Sequence, residues 1–155
     1  MKSLLGTLVL LLCTSMTALA ESQPVVSDAW VREAPPGARM LAAYLTIENT
    51  ADEDLVLVDV SSPQFAHVMM HRSVVIDGMA RMTHEDSLIV PAGTKLELKP
   101  GSYHLMMPAP DTQLVAGDPV LFVLQISNGS QLEVRTEVRK PRNRCHNGAP
   151  AGKTT

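Results

Sequence analysis

Apolar and polar residues alternate along most of this chain with a period of two. The clearest runs are Leu96-Glu97-Leu98-Lys99 and Leu132-Glu133-Val134-Arg135-Thr136-Glu137-Val138. Such alternation gives a strand one buried face and one wet face. In the body of the chain no apolar pattern of helical period runs beyond two turns. Strands are therefore expected at about 25–31, 40–48, 55–60, 67–76, 79–85, 94–99, 102–107, 119–127 and 131–139. Turn residues separate them: Pro35-Pro36-Gly37, Asn49-Thr50-Ala51-Asp52, Asp77-Gly78, Pro91-Ala92-Gly93, Pro100-Gly101 and Asn128-Gly129. Eight or nine short strands in one domain-sized stretch predict an all-β fold, a β-sandwich or Greek-key barrel.

The ends read differently from the middle. Lys2 precedes an apolar run from Leu4 to Leu12, and Ala18-Leu19-Ala20 follows. That order is the pattern of a secretory signal peptide, residues 1–20, cleaved after Ala20. The run is shorter than the roughly 20 residues a spanning helix needs, so no stable membrane anchor is expected. The expected β-barrel domain spans 21–140, and 141–155, with few apolar residues and several Gly, Pro, Asn and Lys, reads as a flexible tail.

Charge and cysteine count then narrow the function classes. The full chain carries a formal −3, and loss of Lys2 on cleavage takes it to −4. That is not the basic footprint of a nucleic-acid binder. Cys13 leaves with the signal, so Cys145 is the sole cysteine of the processed chain and no internal disulfide framework exists. Stability has to come from a packed core.

The chemistry concentrates between 67 and 107. Six of the nine methionines (Met69, Met70, Met79, Met82, Met106 and Met107) lie there with His67, His71, His84 and His104. Methionine is a common core filler, so the cluster alone is compatible with packing. The Asp77-Gly78 pair sharpens the matter, because a two-residue hairpin turn needs residues that accept positive φ. With those two as the loop, Ile76 faces Met79, Ser73 faces Met82 and His71 faces His84. His71, Met82 and His84 then project from one face, with His71 and Met82 diagonal neighbours. A three-residue loop would send Met82 to the other face. Further on, His104-Leu105-Met106 puts a second His and Met on one side of a strand, and the Pro100-Gly101 turn before it is placed to bring it beside the hairpin.

Two imidazoles and two thioethers, from His71, Met82, His104 and Met106, form a donor set for Cu(I). Thioether sulfur is soft and neutral, and favours Cu(I) over hard divalent ions. Zinc sites use Cys, His and carboxylate, and a blue-copper centre needs a Cys thiolate. The remaining donors (His84, His67, Met69, Met70, Met79 and Met107) read singly as structural residues, and Cys145 and His146 as surface groups of the tail; a second site built from them is left open. No catalytic group is evident, so the chain is not expected to be an enzyme.

The same residues resemble the PCu(A)C family of periplasmic copper chaperones, whose motif is H-x10-M-x21-H-x-M. Here ten residues separate His71 from Met82, twenty-one separate Met82 from His104, and Leu105 alone precedes Met106. Ala29-Trp30-Val31-Arg32, Ala43-Tyr44-Leu45-Thr46-Ile47-Glu48-Asn49 and Leu98-Lys99-Pro100-Gly101-Ser102-Tyr103 extend the likeness from about Asp28 to Arg139. The resemblance implies a cupredoxin-like barrel that binds one Cu(I) in the periplasm. It also implies delivery to a cytochrome c oxidase copper site, directly or through a thiol-bearing copper chaperone. The alternatives are a copper-buffering or resistance protein and a structural β-sandwich without metal.

Overall fold

The computed structural model describes residues 23–141. The expected signal peptide (1–20) and, Pro141 apart, the expected tail with Cys145 and His146 lie outside the described residues. Ten strands and no helix occur among those described: β1 (Val25–Arg32), β2 (Met40–Glu48), β3 (Leu55–Ser61), β4 (Met69–Ile76), β5 (Met79–His84), β6 (Leu88–Val90), β7 (Lys95–Leu98), β8 (Tyr103–Pro108), β9 (Pro119–Ile126) and β10 (Gln131–Arg139). The all-β sandwich expected from the strand pattern, cupredoxin-like as the family resemblance implies, is the fold the chain adopts. The unforeseen element is β6, three residues that pair with Leu55–Leu57 of β3. A run that short carries too little alternation to be read as a strand.

Hydrogen bonding runs β5-β4-β8-β2-β1-β10-β9-β3-β6, with β7 also on β2. A single parallel contact, Val31↔Val138 and Arg32↔Arg139, joins the β5-to-β1 half to the β10-to-β6 half. Every other pairing is antiparallel. The inward residues of both halves make one core: Leu41, Ala43, Leu45 and Ile47 of β2, Leu105 and Met107 of β8, and Val120, Phe122, Leu124 and Ile126 of β9 are all buried. Phe65 stacks on Phe122 at 6.3 Å. Side chains of this size each contribute about 1.5–3 kcal/mol on full burial, and with few aromatics the aliphatic residues and Met carry most of that stabilisation.

Two irregularities shape the outer face of the β5-to-β1 half. In β1 the register with β2 shifts between Ser27 and Trp30, where Asp28 takes φ 51°. Without this bulge Trp30 would oppose Ala43 and point into the core. With it, Trp30 lies over Tyr44 on the outer face, ring centroids 4.7 Å apart, and Val31 enters the core instead. The second irregularity interrupts a strand. β7 pairs with Leu45–Glu48 and β8 with Met40–Ala43, so the two follow one line along β2. Between them Lys99–Ser102 bulges out, closed by Ser102 N–H donating to Lys99 O (3.0 Å) and Lys99 N–H to Tyr103 O (2.8 Å). Gly101, at φ 81°, supplies the left-handed conformation this excursion needs.

Candidate metal centre

The hairpin forms as the Asp77-Gly78 turn dictates. Both turn residues have positive φ, 53° and 75°, and the ladder pairs Ile76 with Met79, Ser73 with Met82 and His71 with His84. Because β8 lies on the other side of β4, His71 also pairs with His104 and Met69 with Met106. The pleat then puts His71, Met82, His104 and Met106 on one face, the outer one, with His84 and Met69 beside them. Their inward neighbours Met70, Leu105 and Met107 are in the core. His71 stands at the centre of this group. His104 is directly opposite on one side, and Met82 and Met106 are diagonal neighbours on the two flanking strands, within reach of long side chains.

Exposure falls steeply across the group. Met82, on the outermost strand, is 60% exposed, His71 and Met106 are intermediate, and His104 is 5% exposed. Tyr44, itself buried, is the next β2 residue beyond the Ala43↔Leu105 pair and shares the outer face with His104. A shallow groove beside Met106 is lined by Ala34, Pro35, Ala38, Met40 and Ala42.

The two imidazoles have different settings. His104 Nδ1 lies 3.0 Å from Ser102 O. A carbonyl only accepts, so Nδ1 carries the proton and Nε2 keeps its lone pair free for a metal. The same Ser102 carbonyl accepts from Ser73 N–H at 3.1 Å, so the Lys99–Ser102 excursion ties β8 to β4 and orients the ring together. By contrast, His71 Nδ1 is the sole buried side-chain nitrogen or oxygen among the described residues without a hydrogen-bond partner. Burial lowers the His71 pKa below the usual imidazole value, and the neighbouring His104 and His84 push it further in the same direction. A ring held neutral, with an unpartnered nitrogen, is one a metal ion satisfies. Among the described residues no three His, Cys, Asp or Glu side chains converge as a metal-holding group. The donors that the ladder sets beside the imidazoles on this face are the thioethers of Met82, Met106 and Met69, a sulfur type that suits a soft metal.

Of the surplus donors, Met70 and Met107 are core residues. Met79 is exposed at the hairpin tip on the opposite face from Met82, and His67 is exposed ahead of β4. Met69 is half-buried and faces Met106 directly. His84 is half-exposed, with its Nε2 3.5 Å from Asp86 Oδ1. Its place in a row of three imidazoles was legible in part: the hairpin register gave His84 opposite His71, whereas His104 joined the row only through the β4–β8 pairing.

Comparison with known proteins follows the same lines. The LpqE-like family model matches residues 25–138. A protein of Leifsonia xyli subsp. xyli, whose name marks it as a lipoprotein, is 32% identical over 115 residues, covering 74% of this chain and 68% of its own length. Among solved structures, the copper(I) form of DR1885 from Deinococcus radiodurans is 29% identical with a TM-score of 0.59, over 81% of this chain and 83% of that one. The copper-bound PCuAC domain from PmoF2, 20% identical, shares the fold with a TM-score of 0.64 over 77% of this chain and 95% of that one. With the match running from β1 nearly to the end of β10, the chain belongs to the LpqE-like family, the family of the PCu(A)C domains that its His-Met spacing resembles.

Proposed function

We propose that this protein is an exported, periplasmic Cu(I) carrier that binds the ion through His71, Met82, His104 and Met106 and hands it on without catalytic turnover. The observation that carries this reading is the strand register: it sets His104, Met82 and Met106 around His71, two imidazoles and two thioethers in all, on a single outer face. Two further features support it. His71 Nδ1 is buried and unpartnered, and His104 Nε2 is left free by the Nδ1 contact to Ser102. The likeness to DR1885, solved as its copper(I) form, supports the choice of cargo. All four donors are neutral, so the ion's charge is uncompensated, which suits a site that must release as well as bind.

The acceptor in this reading is a cytochrome c oxidase copper site or a thiol-bearing copper chaperone, and export is supported by the signal-like N-terminus together with the lipoprotein name of the Leifsonia relative. The decisive experiment is competition for Cu(I) and for Zn(II) against colourimetric chelators. The expected result is one Cu(I) per chain, preferred over Zn(II) by many orders of magnitude, with the preference collapsing in the Met82→Leu/Met106→Leu double variant. Stoichiometric zinc binding at micromolar concentration that survives both substitutions would overturn the site.

A further inference from the structure

We propose that His84 is an exit ligand: with Met82 and His71 it makes an outer Cu(I) position at the sheet edge, through which the ion passes from the inner donors to its acceptor. This rests on the carrier reading above and goes beyond it, since His84 stands outside the H-x10-M-x21-H-x-M spacing.

Three observations carry it. First, the ladder places His84, His71 and His104 in one row across β5, β4 and β8. His71 is nearly equidistant from the other two, with ring centroids 5.5 Å from His84 and 6.0 Å from His104, and it meets both edge-on at 85° and 75°. The central ring thus has an imidazole partner on either side. Second, accessibility rises along that row. His104 is buried, whereas the His84 side chain is 55% exposed and Met82, two residues away on the same face of β5, is more exposed still. An acceptor cannot reach an ion through His104. Third, β5 is the outermost strand of its half, and all six of its residues are exposed. Nothing in the described fold stands between that edge and an incoming protein.

The chemistry follows from the geometry. A bond from copper to a His84 ring nitrogen forms as the bond to His104 Nε2 breaks, and the bond to Met106 Sδ breaks as the ion moves outward, while His71 and Met82 stay attached. The ion remains Cu(I), no electron moves, and a neutral imidazole replaces a neutral imidazole. Copper is never stripped of its donors, so the barrier to leaving is that of one ligand exchange at a time. An acceptor thiolate or thioether then displaces His71 and Met82 at the exposed edge. The contact of His84 with Asp86, at 3.5 Å and with the Asp86 side chain fully exposed, is loose enough to yield to the metal. If His84 were merely a solvated surface residue held by that contact, its loss would leave copper transfer unaltered.

The test uses the processed protein loaded with one equivalent of Cu(I), and the variants His84→Gln and His84→Met. His84 is exposed on an edge strand, so neither substitution disturbs the core. Equilibrium affinity is measured by chelator competition, and the transfer rate by stopped flow into excess bicinchoninate. The expected result for His84→Gln is an affinity within about threefold of wild type and a transfer rate at least tenfold slower, with His84→Met recovering most of the rate. In the wild type, NMR should show the His84 ring nitrogens shifting on Cu(I) addition along with those of His71, while those of His67 stay put. An unchanged transfer rate in His84→Gln overturns the exit ligand, and so does a tenfold or greater loss of affinity, which would make His84 a resident ligand. A wild type that binds no Cu(I) at all overturns the carrier reading itself, and this proposal with it.

Discussion

His71 and His104 face one another across the β4–β8 ladder, 6.0 Å between ring centroids and 75° between ring planes. One ring is fixed, buried and tied through Nδ1 to the Ser102 carbonyl; the other is only part-buried and holds an orphaned nitrogen. A rigid donor beside an adjustable one fits a site that has to close on an ion and later open. Most of the consequences below follow from that pair and from the alternation of the strands that hold it.

Met106 and Met107 are chain neighbours on opposite faces of β8, and substitution separates them. Met107 is fully buried, so Met107→Ala is expected to cost about 2–5 kcal/mol of stability while leaving the Cu(I) affinity of the folded protein within a fewfold of wild type. Met106→Leu keeps shape and apolarity on a half-buried outer face. Its stability should change by less than about 1.5 kcal/mol, and its Cu(I) affinity should fall at least tenfold. Chemical denaturation and chelator competition on both variants check the contrast.

Cu(I) affinity is expected to be nearly flat above neutrality and to fall as the pH drops below about 6, because protons compete with the metal for imidazole nitrogen. With both rings ligated the steepest slope should approach about two decades per pH unit. Since His71 is held below the usual imidazole range, its share of the fall arrives at the lower end. His71→Met should remove about one decade of slope and retain part of the affinity through a third thioether. Chelator competition from pH 5 to 8 measures it, and an unchanged slope would show that His71 is not a ligand.

The same shift predicts how the metal-free protein responds to acid. The His71 pKa is lower folded than unfolded, so between the two values the unfolded chain binds more protons. This contribution leaves stability untouched above the ordinary imidazole pKa of about 6.5 and erodes it as pH falls below that value. Replacing His71 with Leu should flatten the melting temperature between about pH 6.5 and 5 relative to wild type. An equally steep decline in the variant would place the acid sensitivity elsewhere.

Gly78 tests the hairpin. It sits at φ 75° with open space around its Cα, so Gly78→Val meets no clash with another residue and suffers only from its backbone conformation. A β-branched residue in the left-handed region costs about 1–2 kcal/mol. The β4–β5 register should loosen, pulling Met82 away from His71, so Cu(I) affinity should fall while the core, distant from this tip, keeps its amide-exchange protection. Protection lost throughout β9 and β10 would contradict that locality.

What the sequence determined by itself was local. Alternation marked nine of the ten strands, and Asp77-Gly78 pointed to the hairpin register that the positive φ of both turn residues then selects over a three-residue loop. The spacing from His71 to Met106 was likewise visible as it stood. The rest needed the assembled fold. That β8 lies beside β4, that Met106 and Met69 face outward while Met107 and Met70 fill the core, and that the Asp28 bulge turns Trp30 outward onto Tyr44 all depend on which faces of distant strands bury together. Strands joined by a tight turn are paired by backbone geometry within a few residues. Strands separated by thirty residues are paired by the apolar surface they share, and no stretch of sequence carries that choice alone.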